Sequence, residues 1–136
     1  MDDRTTGISS LKFINYIVNS VNYKVNMNAN KEGTYKFNFD INNTTKISKE
    51  KDKMTITLSA NVFKGVDDAP FYIDVEITGY FEIEGKEDIS KFEPNAIAIM
   101  YPYLRAIIST YTASANVAPV ILPAINVIAM LKRKDK

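Results

Sequence analysis

From Pro94 to Leu131 the sequence runs PNAIAIMYPYLRAIISTYTASANVAPVILPAINVIAML, 38 residues with a single charge, Arg105. A stretch this apolar must be covered on nearly every side, by lipid or by protein. Lipid is the poorer reading. Pro102, Pro119 and Pro123 interrupt the stretch, Arg105 sits inside its most hydrophobic window, and Ser109, Thr110, Thr112 and Ser114 dilute it. The sequence therefore predicts a hydrophobic layer buried inside a protein assembly, with no membrane insertion.

What precedes the layer reads as β-structure. Phe71, Ile73, Val75, Ile77, Gly79, Phe81 and Ile83 fall on one face of a period-2 pattern, and Tyr72, Asp74, Glu76, Thr78, Tyr80 and Glu82 on the other. Met54, Ile56, Leu58, Ala60 and Val62 alternate with Thr55, Thr57, Ser59 and Asn61. Tyr35, Phe37, Phe39 and Ile41 alternate with Lys36, Asn38, Asp40 and Asn42. Such strands bury one face and wet the other, as antiparallel sheets do. In the first strand the phase changes: Ile14, Tyr16 and Val18 are even-numbered, and Val21, Tyr23, Val25 and Met27 are odd-numbered. A bulge near Asn19-Ser20 would return both sets to one face; two short strands with a break is the alternative. Asn28–Gly33, Asn42–Lys53 and Gly65–Pro70 are the expected connections.

Beyond Gly85 comes a polar linker, Lys86–Phe92, and then helical spacing. Tyr101, Leu104, Ile108, Tyr111/Thr112 and Ala115 lie on one face, with a regular start expected near Ala98–Met100, since proline is best tolerated in a first turn. Asn116–Leu122 reads as an apolar loop. Pro123 is placed to open a second, short helix through Leu131, ended by Lys132-Arg133-Lys134. The predicted class is α+β: a four-stranded antiparallel sheet with two C-terminal helices packed on one face. One domain spans 1–136, with 1–12 and 132–136 as flexible ends. The sheet can cover only one side of a helix that is apolar almost all round. Another copy of the chain is the natural cover for the rest, so the sequence predicts a homo-oligomer.

Composition narrows the chemistry. The chain has no Cys and no His, so thiol nucleophiles, disulfides, imidazole bases and His- or Cys-ligated metals are absent. With 17 basic and 16 acidic residues it has no global attraction for nucleic acid. No phosphate-binding glycine loop occurs. The reading is a protein that is not an enzyme and uses no cofactor and no metal. The start, MDDRTTGISSLK, is acidic without an apolar core, so a signal peptide is not expected and the chain is placed in the cytoplasm. Asp74, Glu76 and Glu82 share a solvated sheet face that could also receive a partner. Arg105 reads as a buried contact, with Glu93 as its candidate partner. Tyr101, Tyr103 and Tyr111 read as core.

The runs FYIDVEITGYFEIEG and MYPYLRAIISTYTASANVAPVILPAIN resemble the bacterial export chaperone family SecB. The elements are Gly79-Tyr80-Phe81-Glu82-Ile83, then Tyr101-Pro102-Tyr103-Leu104-Arg105, then Pro119, then Leu122-Pro123 with Asn126. The resemblance covers residues 53–131 closely and the first strands by pattern. It implies a homotetramer, a dimer of dimers, with helices between two sheets. It also implies an ATP-independent holdase for non-native polypeptides, whether preproteins in export or the antitoxin of a toxin–antitoxin system. The expected client groove is lined by Phe81, Tyr101, Val117, Val120 and Leu122. The expected docking surface for the translocation motor SecA includes Asp74 and Glu76. The basic tail Lys132–Lys136 departs from the family's often acidic tail and implies weak docking. The alternative from another class is an oligomeric small-molecule-binding or structural domain with an apolar groove.

Overall fold

A computed structural model describes residues 10–29, 37–126, 129 and 131. Four strands, β1 (Ser10–Val25), β2 (Phe39–Ile47), β3 (Lys53–Val62) and β4 (Phe71–Glu84), form one antiparallel sheet in the order β1-β4-β3-β2. The alternation holds in the two central strands, except that Thr78 on the outer face of β4 is also buried. Met54, Ile56, Leu58 and Val62 of β3 and Phe71, Ile73, Val75, Ile77 and Phe81 of β4 are buried on the inner face. Each fully buried aliphatic side chain contributes about 1.5–3 kcal/mol through its removal from water.

β1 is the long edge strand, and its register slips twice against β4. The slip between Val18 and Ser20 is the bulge that the phase change at Asn19 predicts. A second slip, between Phe13 and Asn15, leaves Ile14 without a partner. Together the bulges keep Leu11, Phe13, Tyr16, Val18, Val21, Tyr23 and Val25 on one face, opposite Ile83, Phe81, Gly79, Ile77, Val75, Ile73 and Phe71.

Three boundaries differ from the sequence expectation. β2 does not stop at Asn42 but runs on to Ile47, and the hairpin loop shrinks to Ser48–Asp52. Pairing with β3 decides this, and Asn43, a polar residue on the inner face, donates to Thr45 Oγ1 at 3.2 Å. Tyr35 and Lys36 lie outside the described residues. The linker contains a 3₁₀ turn, Ile89–Phe92, capped by Asp88, whose Oδ1 accepts from the Ser90 amide at 2.9 Å. The helix α1 then begins at Glu93, earlier than expected, and runs to Ser114. Pro94 occupies its first turn and Pro102 lies in its interior, with the proline ring exposed.

Among the described residues the expected pair of C-terminal helices is corrected to one. Pro123 does not open a helix: residues 123–126 are irregular. Ala129 and Leu131 have helical backbone, and the Ala129 amide donates to Asn126 Oδ1 at 3.0 Å. The rest of that expected segment lies outside the described residues, as do 1–9 and 132–136, while Ser10–Lys12 belong to β1.

α1 lies on the inner face of the sheet, against β3 and β4. Its buried stripe is Ala96, Ile97, Met100, Tyr101, Leu104, Ile108 and Thr112. The opposite side carries Ile99, Tyr103 and Tyr111, each more than a third exposed. Within a single chain, then, one face of the helix is covered and the other is open.

Candidate functional site

α1 ends in a Schellman motif that turns the chain back over the sheet. Asn116 takes the left-handed conformation (φ 63°). Its amide donates to the Ala113 carbonyl and the Val117 amide to the Thr112 carbonyl, both at 3.3 Å. The strap that follows, Val117–Pro123, has no regular structure, and side chains of α1 hold it. The Thr112 hydroxyl accepts from the Val120 amide at 2.9 Å, and the Ser109 hydroxyl donates to the Val120 carbonyl at 2.8 Å. The Tyr101 hydroxyl donates to the Pro123 carbonyl.

Between this strap and the β3–β4 loop lies an apolar cavity of about 380 Å³. Phe37, Phe63, Pro70 and Phe71 wall one side, and Val117–Ile121 the other. Among the described residues no charged side chain lines it. Phe63 is the unusual member. Its φ of 66° is a conformation that bulky side chains rarely adopt. It is held there by its amide, which donates to the Asn38 carbonyl at 2.8 Å, and by its carbonyl, which accepts from the Val66 amide at 3.2 Å. Edge-on contacts to Phe37 and Phe71, with centroids 5.7 and 5.4 Å away, fix the ring. Phe63 and Phe71 also wall a second, more polar cavity of about 500 Å³ that includes Lys24, Asn26, Asn28, Asp67 and Tyr72.

Of the five residues expected to line a client groove, Val117 and Val120 meet in the apolar cavity. Phe81 and Leu122 are buried in the core, Phe81 stacked on Phe13 at 5.2 Å. Tyr101 is also buried and serves the strap. Its hydroxyl is pushed above the ordinary tyrosine range by burial, with the Arg105 charge partly opposing. Arg105 sits 5.8 Å over the Tyr101 ring, so it meets an aromatic face, and among the described residues no ion pair joins it to Glu93. Sequence reasoning did not single out Phe37, Phe63 or Phe71 for the cavity. The available signal was three phenylalanines at strand ends, flanking the connections rather than the strand centres.

Asp74 and Glu76 project from the outer face of β4, between Asn22 and Ser20 of β1 and Asn61 and Ser59 of β3. Among the described residues neither forms an ion pair; Glu76 accepts from Asn19 Nδ2 at 3.0 Å. Burial and the adjacent Asp74 carboxylate raise the Tyr72 hydroxyl above its ordinary range. A third cavity, shallow and about 350 Å³, lies between β1 and the open side of α1, walled by Tyr16, Tyr103, Ile107 and Tyr111. Among the described residues no cluster of acidic side chains is placed to hold a metal, and no helix is long and apolar enough to cross a membrane.

A four-stranded antiparallel sheet carrying one long helix, with a phenylalanine-walled cavity under a hydroxyl-pinned strap, defines an α+β protein with an apolar cleft. The family described as preprotein translocase subunit SecB matches residues 17–136, and the chain belongs to that family, one of chaperones and not of enzymes. An uncharacterized protein of Methanocaldococcus jannaschii is 38% identical over 128 residues, covering 90% of this chain and 83% of its own length. Two solved structures share the fold. The Mycobacterium tuberculosis SecB-like chaperone Rv1957, in complex with a ChAD peptide from the HigA1 antitoxin, superposes with a TM-score of 0.66 at 10% identity, over 85% of this chain and 91% of that one. A Streptococcus agalactiae protein of unknown function superposes with a TM-score of 0.52 at 18% identity, over 86% and 99% of the two chains.

Proposed function

We propose that the protein is an ATP-independent holdase that binds non-native polypeptide segments in the apolar cavity beside the strap. The observation that carries this reading is the cavity of about 380 Å³ walled by three phenylalanines and, among the described residues, by no charged side chain. Apolar burial is non-directional, so such a site recognises many sequences that present a bulky side chain. Val117, Val120, Phe37, Phe63 and Phe71 are the contact residues in this proposal, and Tyr101 holds the strap through Pro123, while Phe81 lies towards the other end of β4, stacked on Phe13. The antitoxin peptide in the M. tuberculosis complex supports a peptide client. Preproteins and an antitoxin are both clients consistent with the family.

The same reading makes the active species a homotetramer in the cytoplasm, assembled through the open side of α1 and the β1 edge. The unpaired carboxylates Asp74 and Glu76 form the docking surface for SecA or a similar basic element, weakly. The test of the function is suppression of aggregation of a reduced, unfolded client without nucleotide. Phe37→Asp and Ile121→Asp alter exposed cavity residues. Each should lose most of the suppression while the circular dichroism spectrum stays unchanged. Full activity in both variants would move the client site elsewhere.

A further inference from the structure

β2 is the edge of the sheet opposite β1, and the two edges are built differently. β1 slips its register twice, whereas β2 pairs with β3 from Phe39 to Ile47 without a slip. Bulges and prolines blunt a strand edge against further pairing, and β2 holds neither. Its backbone alternates in direction. The Phe63 amide donates to the Asn38 carbonyl and the Ser48 amide to the Lys53 carbonyl, so even-numbered positions turn toward β3. Odd-numbered positions, Phe39, Ile41, Thr45 and Ile47 among them, therefore turn amide and carbonyl toward the outer edge. Among the described residues no strand pairs with that edge.

The β2 sequence, FDINNTTKI, is complementary to itself when laid antiparallel. With a two-fold axis at Asn43, Asp40 faces Lys46 of a second copy, Phe39 faces Ile47, and Ile41 faces Thr45. The backbone direction agrees with this register. The pairs 39–47 and 41–45 become the hydrogen-bonded ones. The pair 40–46 falls at a non-hydrogen-bonded position, where α carbons are only about 4.5 Å apart and side chains meet most closely. Asp40 and Lys46 are both exposed, and among the described residues neither forms an ion pair. Moving the axis to Asn42 or Thr44 leaves both charges facing uncharged residues. We propose that β2 is a self-recognition edge: two copies of this chain join β2 to β2 about an axis at Asn43, and the Asp40–Lys46 pair, repeated by the symmetry, sets the register. The contact uses neither β1 nor the open side of α1, so it links assemblies formed through those surfaces. It also satisfies an edge that would otherwise template strands of any sequence. One strand pair with two ion pairs is a small interface, so the Kd is roughly 0.1–1 mM and the pairing grows with concentration.

Sedimentation velocity on the full chain, from about 10 µM to about 1 mM, brackets that range. The species present at the low end should double in mass at the high end. Asp40→Lys and Lys46→Asp each set like charges opposite one another, and each alone should weaken the doubling at least about tenfold. The two variants mixed in equal amounts should pair with each other, because every charge then meets its opposite. Asp40→Lys combined with Lys46→Asp should restore the doubling within one chain. In the doubled wild type, hydrogen exchange should slow at the Ile41 and Thr45 amides and stay unchanged at Asn42 and Thr44, whose amides face β3. A wild type that does not double, or doubling indifferent to the single exchanges, overturns the proposal. Doubling that neither the mixture nor the combined variant restores overturns the register. An undoubled wild type in which an added extended peptide slows exchange at Ile41 and Thr45 makes β2 an edge for other chains and overturns self-recognition.

Discussion

A β carbon on Gly79 would lie 2.6 Å from Met100 Sδ, so the helix rests on the sheet at the one residue of β4 that has no side chain. Both residues are fully buried or nearly so. Gly79→Ala should cost about 1–3 kcal/mol by overpacking. Met100→Ala alone should cost about 2–5 kcal/mol by leaving a cavity. Combined, they should cost less than the sum, because the cavity receives the new methyl. Urea denaturation of the four proteins checks this. Strict additivity would mean that the close approach does not govern the packing.

The open side of α1 predicts the assembly. Tyr103 packs on Tyr16 with ring centroids 4.6 Å apart, and both line the shallow cavity between the β1 edge and the open side of α1. Tyr103→Asp with Tyr111→Asp places charges where a single chain leaves the rings 39% and 40% exposed, so the fold should survive. Light scattering should find a tetramer in the wild type and a folded monomer of 15.3 kDa in the double variant. A wild-type monomer at high concentration would rule out the assembly.

Asp74 and Glu76 lie about 7 Å apart on one face of β4, close enough for one basic element to engage both. Asn19 donates to Glu76 and the Tyr72 hydroxyl lies beside Asp74, but their cross-strand neighbours are uncharged and no ion pair among the described residues neutralises either carboxylate. Asp74→Lys with Glu76→Lys should abolish docking of a SecA-like basic segment and leave client binding intact. Docking by the wild type should weaken as the screening length falls below about 8 Å with added salt. Calorimetry that finds tight, salt-indifferent binding in both proteins would refute this surface.

The strap should loosen in alkali. Tyr101 donates from its neutral form, and burial raises its folded value above the ordinary 10.0. A group whose value is raised on folding contributes stability that is complete below the unfolded value and is lost as pH climbs through the folded one. The melting temperature should therefore fall as the pH climbs past about 10. Tyr101→Phe should cost about 1 kcal/mol at neutral pH and flatten part of that alkaline fall. Tyr72→Phe is the control, since the Tyr72 hydroxyl is raised as well. An identical slope in wild type and Tyr101→Phe would show that the strap bond does not carry the effect.

The sequence by itself determined the inner faces of β3 and β4, because strand geometry sends alternate residues to opposite sides whatever the surroundings. It also pointed to the Asn19 bulge, with two short strands as the alternative, and the continuous pairing of β1 with β4 chose between them. The stripe Tyr101, Leu104, Ile108 and Thr112 was legible for the same kind of reason, helical period. Tertiary structure decided the rest. The Ile14 bulge was hidden because Ile14, Ile17 and Val18 make both faces look apolar. The extension of β2 through Asn43 and Thr45 depended on pairing with β3. Pro123 was a local helix signal overruled when Tyr101 captured its carbonyl. Phe37, Phe63 and Phe71 are far apart in sequence, and no period links them. They become one cavity wall only because the β3–β4 loop forces Phe63 into a left-handed turn and the strap, tied down at Val120, closes over it.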